Sequence, residues 1–113
     1  MRNYRLYISD ILECIRKIGE FTRGMDLDSF AKDDMVSSAV ILKIIMIGEA
    51  AKNVPEEIRV KYPELPWRDM AAIRDKVMHC YFGIDFEIVW EVVKNQLPKL
   101  ELKVPKILED MDG

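Results

Sequence analysis

Arg74, Asp75, His79 and Tyr81 fall within the run RDKVMHCY, and His79 is the chain's one histidine. An imidazole moves protons near neutral pH, and a guanidinium steadies charge on phosphate oxygens. If the run is helical, with about 100° between successive residues, Asp75 and His79 are neighbours four apart. The carboxylate can then accept a hydrogen bond from one ring nitrogen, fixing the tautomer and raising the basicity of the ring. Arg74 and His79 point about 140° apart, whereas Arg74 and Tyr81, seven apart, share a face if the helix lasts that long. These are parts for work at a phosphodiester, and RNA needs no metal for such cleavage because its ribose 2′-hydroxyl is an internal nucleophile. The structural alternative is a histidine that caps a helix C-terminus beside a core tyrosine with a satisfied hydroxyl, and spacing alone leaves both open.

General acid–base cleavage wants two proton-transfer groups, and one chain carries one histidine. A two-fold dimer would place two histidines and two arginines in one cleft. The segment from about Met35 to Asn53 independently suggests a buried partner face, since a helix this apolar is covered on more than one side, by its own fold or by a second chain. Its Val36, Ala39, Val40, Ile44, Ile47, Ala50 and Ala51 form a wide apolar stripe, extended by Ile41 and Ile45.

The elements that must hold the motif read as helices throughout. Tyr4, Ile8, Ile11, Leu12, Ile15 and Ile18 recur at three- and four-residue steps, predicting a first helix over 4–21 that Gly24 stops. MDLDSFAKDD reads as a loop or single turn, with Asp33 or Asp34 capping the second helix. Pro55 opens a short third helix that Pro63 ends. After LPW at 65–67 a fourth helix carries Met70, Ile73, Val77 and the motif until Gly83 breaks it. Asp85 caps a last helix that Pro98 should kink or interrupt, followed by a less regular stretch and an acidic tail. No strand alternation, repeat or Gly-rich phosphate loop is present. The expectation is one domain over 1–113, all-α, an up-and-down bundle of four or five helices.

Composition narrows the partners. Half the residues are apolar, a third are charged, and the net charge is −3, which argues against a broad non-specific grip on nucleic acid. The charge is uneven, however. Arg59, Lys61, Arg68, Arg74 and Lys76 face only Glu64, Asp69 and Asp75 over the same span, which permits a phosphate partner. No apolar run reaches the roughly 20 residues of a membrane span, and the N-terminus shows no signal-peptide core, so a cytoplasmic location is expected. Cys14 and Cys80 form no CxxC pair and, with one histidine, no plausible zinc set, so both read as small buried hydrophobes. No metal and no cofactor are expected.

Arg74-Asp75-Lys76-Val77-Met78-His79-Cys80-Tyr81 resembles the R-x4-H-x-Y motif of the HepT-like branch of the HEPN superfamily. IGEAAK (Ile47–Lys52), LPW (Leu65–Trp67), YFGID, Val89-Trp90 and Leu97-Pro98 follow the same family's blocks in order, over roughly residues 1–105. The resemblance implies an all-α bundle that dimerises, with the R-x4-H residues of both subunits meeting in a cleft. It further implies a metal-independent ribonuclease toxin whose partner is a minimal nucleotidyltransferase antitoxin able to transfer AMP from ATP onto the motif tyrosine. Carried over, His79 is general acid/base, Arg74 binds the scissile phosphate, Asp75 is the orienting polar residue and Tyr81 the AMP acceptor. Gly48 matches a family position and suggests close helix approach, and Glu49 a partner for a cation of the fourth helix or of a second subunit. The competing expectation is a non-catalytic module that binds nucleotide or docks the nucleotidyltransferase, with Arg74 and His79 as an anion site.

Overall fold

Helix α1, Tyr4–Phe21, begins where the Asn3 side chain accepts a hydrogen bond from the Arg5 amide, 2.8 Å away. In the computed structural model, residues 3–83 and 85–113 are described, with the side chains of 78–83 outside that description. Of the predicted α1 stripe, Ile8, Ile11, Leu12, Ile15 and Ile18 are buried, whereas Tyr4, in the first turn, stays exposed. Gly24 then turns the chain at φ +77°, a left-handed conformation that costs glycine little.

MDLDSFAKDD, expected as a loop or single turn, is ordered into a short helix. It holds α2, Leu27–Lys32, fastened by a reciprocal cap in which the Ser29 amide donates to Asp26 and the Asp26 amide donates to Ser29 Oγ. The physical reason lies in Phe30, fully buried, edge-on to Phe86 and tilted against Trp90 at 5.0 Å. One aromatic anchor gives this short helix a packing partner that local propensity alone would not supply.

Asp33 caps α3, Asp34–Asn53, by accepting from the Val36 amide. This is the central rod, packed against α1 on one side and α5 on the other. Its Val40, Ile44, Ile47 and Ala51 are sealed from solvent. The C-terminal carbonyls of α3 are satisfied from α4, Glu56–Lys61. The Arg59 guanidinium donates to the carbonyls of Ala51, Lys52 and Val54, placing a cation at the negative end of the α3 dipole.

Helix α5, Trp67–Gly83, starts from a pinned corner. Trp67 Nε1 donates to the Tyr62 carbonyl at 2.8 Å, and the Tyr62 hydroxyl donates to Asp110 Oδ2 at 2.7 Å. That acceptor carboxylate, helped by burial, pushes the Tyr62 phenol up to about 12. Asp85 caps α6, Phe86–Glu91. The chain then widens into a π turn over Val92–Gln96 and resumes as α7, Leu97–Asp112.

The expected interruption at Pro98 is this π turn. Pro98 has no N–H, and in α register its ring would meet the carbonyl four residues back, so the widened turn falls just ahead of it. The stretch beyond is more regular than expected, because α7 runs straight through Pro105 to Asp112. The carbonyl that Pro105 cannot engage belongs to Glu101, an exposed residue within reach of water. Arg5 clamps the end of α7 to the start of α1 through paired contacts of 2.7 and 2.8 Å with Asp112. The result is an all-α bundle of long rods, α1, α3, α5 and the α6–α7 continuation, around one apolar core. Among the described residues no helix is long and apolar enough to cross a membrane.

Candidate functional site

The motif lies on α5. Because that helix extends to Gly83, the backbone positions of Arg74, Asp75, His79 and Tyr81 all belong to one continuous element. The face relations drawn from an uninterrupted helix therefore apply to the backbone. The side chains of His79 and Tyr81 lie outside the described residues, as does that of Cys80. Asp75 is exposed, and Cys14 is buried in the core, where desolvation pushes its thiol up and leaves it inert.

Arg74 is the described centre of the site. Its Nη1 reaches Glu49 Oε1 of α3 at 2.7 Å, so the cation that Glu49 meets on the neighbouring helix is the motif arginine itself. Both side chains remain substantially open to water, 35% and 48%, so the pair adds little to stability. Its consequence is geometric. A long side chain with many rotamers is tethered at one guanidinium nitrogen, and a guanidinium carries five N–H donors in a fixed fork. The edge not committed to Glu49 can receive a phosphate oxygen.

Gly48 explains how that tether fits. A Cβ built on Gly48 would stand 3.0 Å from Arg74 Cβ and 3.3 Å from the Met70 carbonyl oxygen. The glycine is what lets α3 approach α5 at the level of Arg74. Gly48 and Glu49 thus act on the same residue, one by admitting its backbone and the other by holding its side chain. The sequence pointed to close approach and to an ion pair separately; only the fold shows that they converge on Arg74.

Not every cation between 59 and 76 belongs to this site. Arg59 is committed to the α3 carbonyls. Lys76 lies instead beside a separate groove between α5 and α7, with Lys99 and Lys103 across from it. The signal for those two was their spacing of four on a helix, which the irregular stretch expected after Pro98 concealed. Among the described residues no group of three or more His, Cys, Asp or Glu side chains could hold a metal ion.

Comparison with known proteins bears out the family resemblance. A family model described as Ribonuclease HepT-like matches residues 11–107. "Probable ribonuclease HepT" of Thermococcus cleftensis is 42% identical, over 94% of this chain and 96% of that protein. A Methanocaldococcus jannaschii protein whose name carries the word RNase is 43% identical, over 99% of this chain and 93% of its own length. A similarly named protein of Caldanaerobacter subterraneus is 37% identical over 96% of this chain and 97% of its own. No solved structure matches the chain significantly.

Proposed function

The chain belongs to the HepT-like ribonuclease family, and from that premise we propose that it is a metal-independent endoribonuclease whose active site is completed by a second copy of itself. The observation that carries the reading is Arg74, held by Glu49 over Gly48 on the helix that also bears positions 75, 79 and 81. In this reading Arg74 receives the scissile phosphate and neutralises charge that builds on its oxygens. His79 takes the proton from the attacking 2′-hydroxyl or returns one to the leaving 5′-oxygen, and Asp75 orients it.

The second proton-transfer group is His79 of the other subunit. An exposed apolar stripe supports that pairing. Met35, Leu42 and Met46 lie along one side of α3 with exposures of 83%, 57% and 42%, and three residues beyond Met46 the same helix bears Glu49. A second copy covering this stripe would hide apolar surface and bring two Arg74–Glu49 pairs towards one cleft.

Regulation follows the toxin–antitoxin logic. A cognate minimal nucleotidyltransferase antitoxin transfers AMP to Tyr81, the phenol oxygen attacking the α-phosphorus of ATP and releasing pyrophosphate. A bulky anion two residues from His79 would obstruct the cleft and repel RNA.

The test is cleavage of mixed RNA with EDTA present by the wild type, Arg74→Ala and His79→Ala, each checked by intact mass for added AMP. Light scattering of the same samples reports their mass. Cleavage by unmodified wild type that both substitutions abolish supports the reading; undiminished cleavage by His79→Ala refutes it. The alternative, a non-catalytic module that binds nucleotide or the nucleotidyltransferase, draws on the guanidinium edge of Arg74 that Glu49 leaves free, which can hold an anion with no proton transfer following. It predicts partner or nucleotide binding by an unmodified dimer that leaves RNA intact.

A further inference from the structure

The groove between α5 and α7 is separate from the Arg74–Glu49 pair and has a volume of about 440 Å³. The two helices stand apart here. Lys76 rises from α5, and Lys99 and Lys103 from α7, over a floor that includes the buried Met70, Ile73 and Leu100. Asp69 is the one acid among the described residues of its wall, so the lining carries a net charge of +2 on a chain whose net charge is −3. All three lysines are exposed, and among the described residues none forms an ion pair with a carboxylate; Lys103 Nζ donates to the Glu64 carbonyl at 3.2 Å. A concentration of cations against the overall sign of the molecule is the signature of a site that attracts a polyanion.

The positions favour a chain-like ligand over a compact one. Lys99 and Lys103 are separated by about 6 Å along α7, on one face. Lys76 stands opposite and is one turn before position 79 on α5. The groove is thus a strip that runs along the motif helix, with an apolar floor that can receive base or ribose surface and cationic rims that can reach phosphates.

We propose that this lysine groove binds the phosphate backbone of single-stranded RNA flanking the cleavage point, with Lys76, Lys99 and Lys103 as its contacts. The proposal rests on the ribonuclease reading above and names the path of its substrate outside the catalytic pair.

The test uses the full chain carrying His79→Ala, to prevent turnover, and a labelled uridine-only RNA followed by anisotropy across a salt series. A triple variant, Lys76→Gln, Lys99→Gln and Lys103→Gln, is compared with the same positions changed to Arg, and thermal melts confirm that both fold. The expected result is at least about tenfold weaker binding for the Gln variant at low salt. Its slope of log affinity against log salt should be shallower by about 2, at about 0.7 for each lost phosphate contact, and the Arg variant should retain both. If the Gln variant binds RNA as the parent does, the groove assignment falls, while cleavage by the His79-bearing protein would leave the ribonuclease reading intact. If the parent binds no RNA, both fall. If the Gln substitutions instead abolish capture of the cognate nucleotidyltransferase and spare RNA, the groove is a protein-docking surface and the proposal is wrong.

Discussion

Two helical glycines make opposite predictions for the same substitution. Gly19, exposed in α1, has nothing within 4 Å of where a Cβ would stand. Gly19→Ala should therefore realise the ordinary helix gain of about 1 kcal/mol. Gly48→Ala would realise the same gain in α3 but must place its methyl 3.0 Å from Arg74 Cβ and 3.3 Å from a backbone oxygen of α5. Neither atom is the far end of a flexible side chain, so α3 and α5 must separate by a few tenths of an ångström. Overpacking of this kind costs roughly 1–3 kcal/mol, which outweighs the helix gain and leaves a net loss of about 1 kcal/mol. For 113 residues, each kcal/mol is worth about 4 °C in Tm, so the two variants should melt about 8 °C apart, on either side of the parent. The assay is calorimetric or circular-dichroism melting of the three proteins side by side. Equal stabilisation by both substitutions would refute the claim that Gly48 sets the α3–α5 approach. The geometry also separates function from stability: Gly48→Ala displaces the helix bearing Arg74 and should lower RNA cleavage at temperatures where the protein is fully folded, whereas Gly19→Ala should leave cleavage unchanged.

Phe30→Ala removes a sealed ring that joins α2 to Phe86 and Trp90, and should cost about 3–5 kcal/mol in urea unfolding. Tyr62, whose folded phenol titrates at about 12 against an ordinary 10, contributes stability that is complete below pH 10 and lost as pH rises towards 12. Unfolding free energies of the parent and Tyr62→Phe should therefore converge across that window, and a constant difference would exclude the Asp110 bond as its cause. Asp112 is held below the ordinary carboxylate value by its hydrogen bonds from Arg5, so its contribution is present above pH 3.8 and lost as pH falls through its lower folded value. Asp112→Asn should flatten that part of the acid limb when the two proteins are compared by pH-dependent melting.

The long helices were legible because burial imposes a period. Ile8 to Ile18, and Val40, Ile41, Ile44, Ile47, Ala50 and Ala51, repeat at helical steps and are buried in α1 and α3, whereas Tyr4 is exposed and Val36, Ala39 and Ile45 are only partly covered. The caps were legible for a related reason, since Asp85 and the pair Asp33 and Asp34 are short acceptors placed just ahead of apolar periodicity, and the fold selects Asp33 of the two. The misread segments are those where a distant contact or a register change overrides local preference. Phe30 looks like one apolar residue in a polar loop until Phe86 and Trp90 arrive from a segment more than 50 positions later. The stretch after Pro98 reads as irregular, yet α7 continues through Pro105, because a single lost backbone bond at an exposed carbonyl is tolerable when Val104 and Ile107 are packed on either side.

Charge shows the same limit at the site. Counted along the chain, the cations from Arg59 to Lys76 look like one patch beside the histidine. The fold gives them separate roles. Arg59 closes the end of α3, Arg74 is tethered to Glu49, and Lys76 joins a groove whose other lysines come from α7. In linear order Lys99 and Lys103 are diluted by Glu101 between them. On a helix Glu101 is turned about 160–200° from both, and it borders a different cleft with Gly19 and Val93. An acidic protein can therefore present a cationic strip without departing from its overall sign. Mean charge sets how strongly the whole molecule repels RNA, while the helical period decides which face escapes that repulsion. A ribonuclease built this way would depend on its groove more steeply than a basic one, because no general attraction stands behind it.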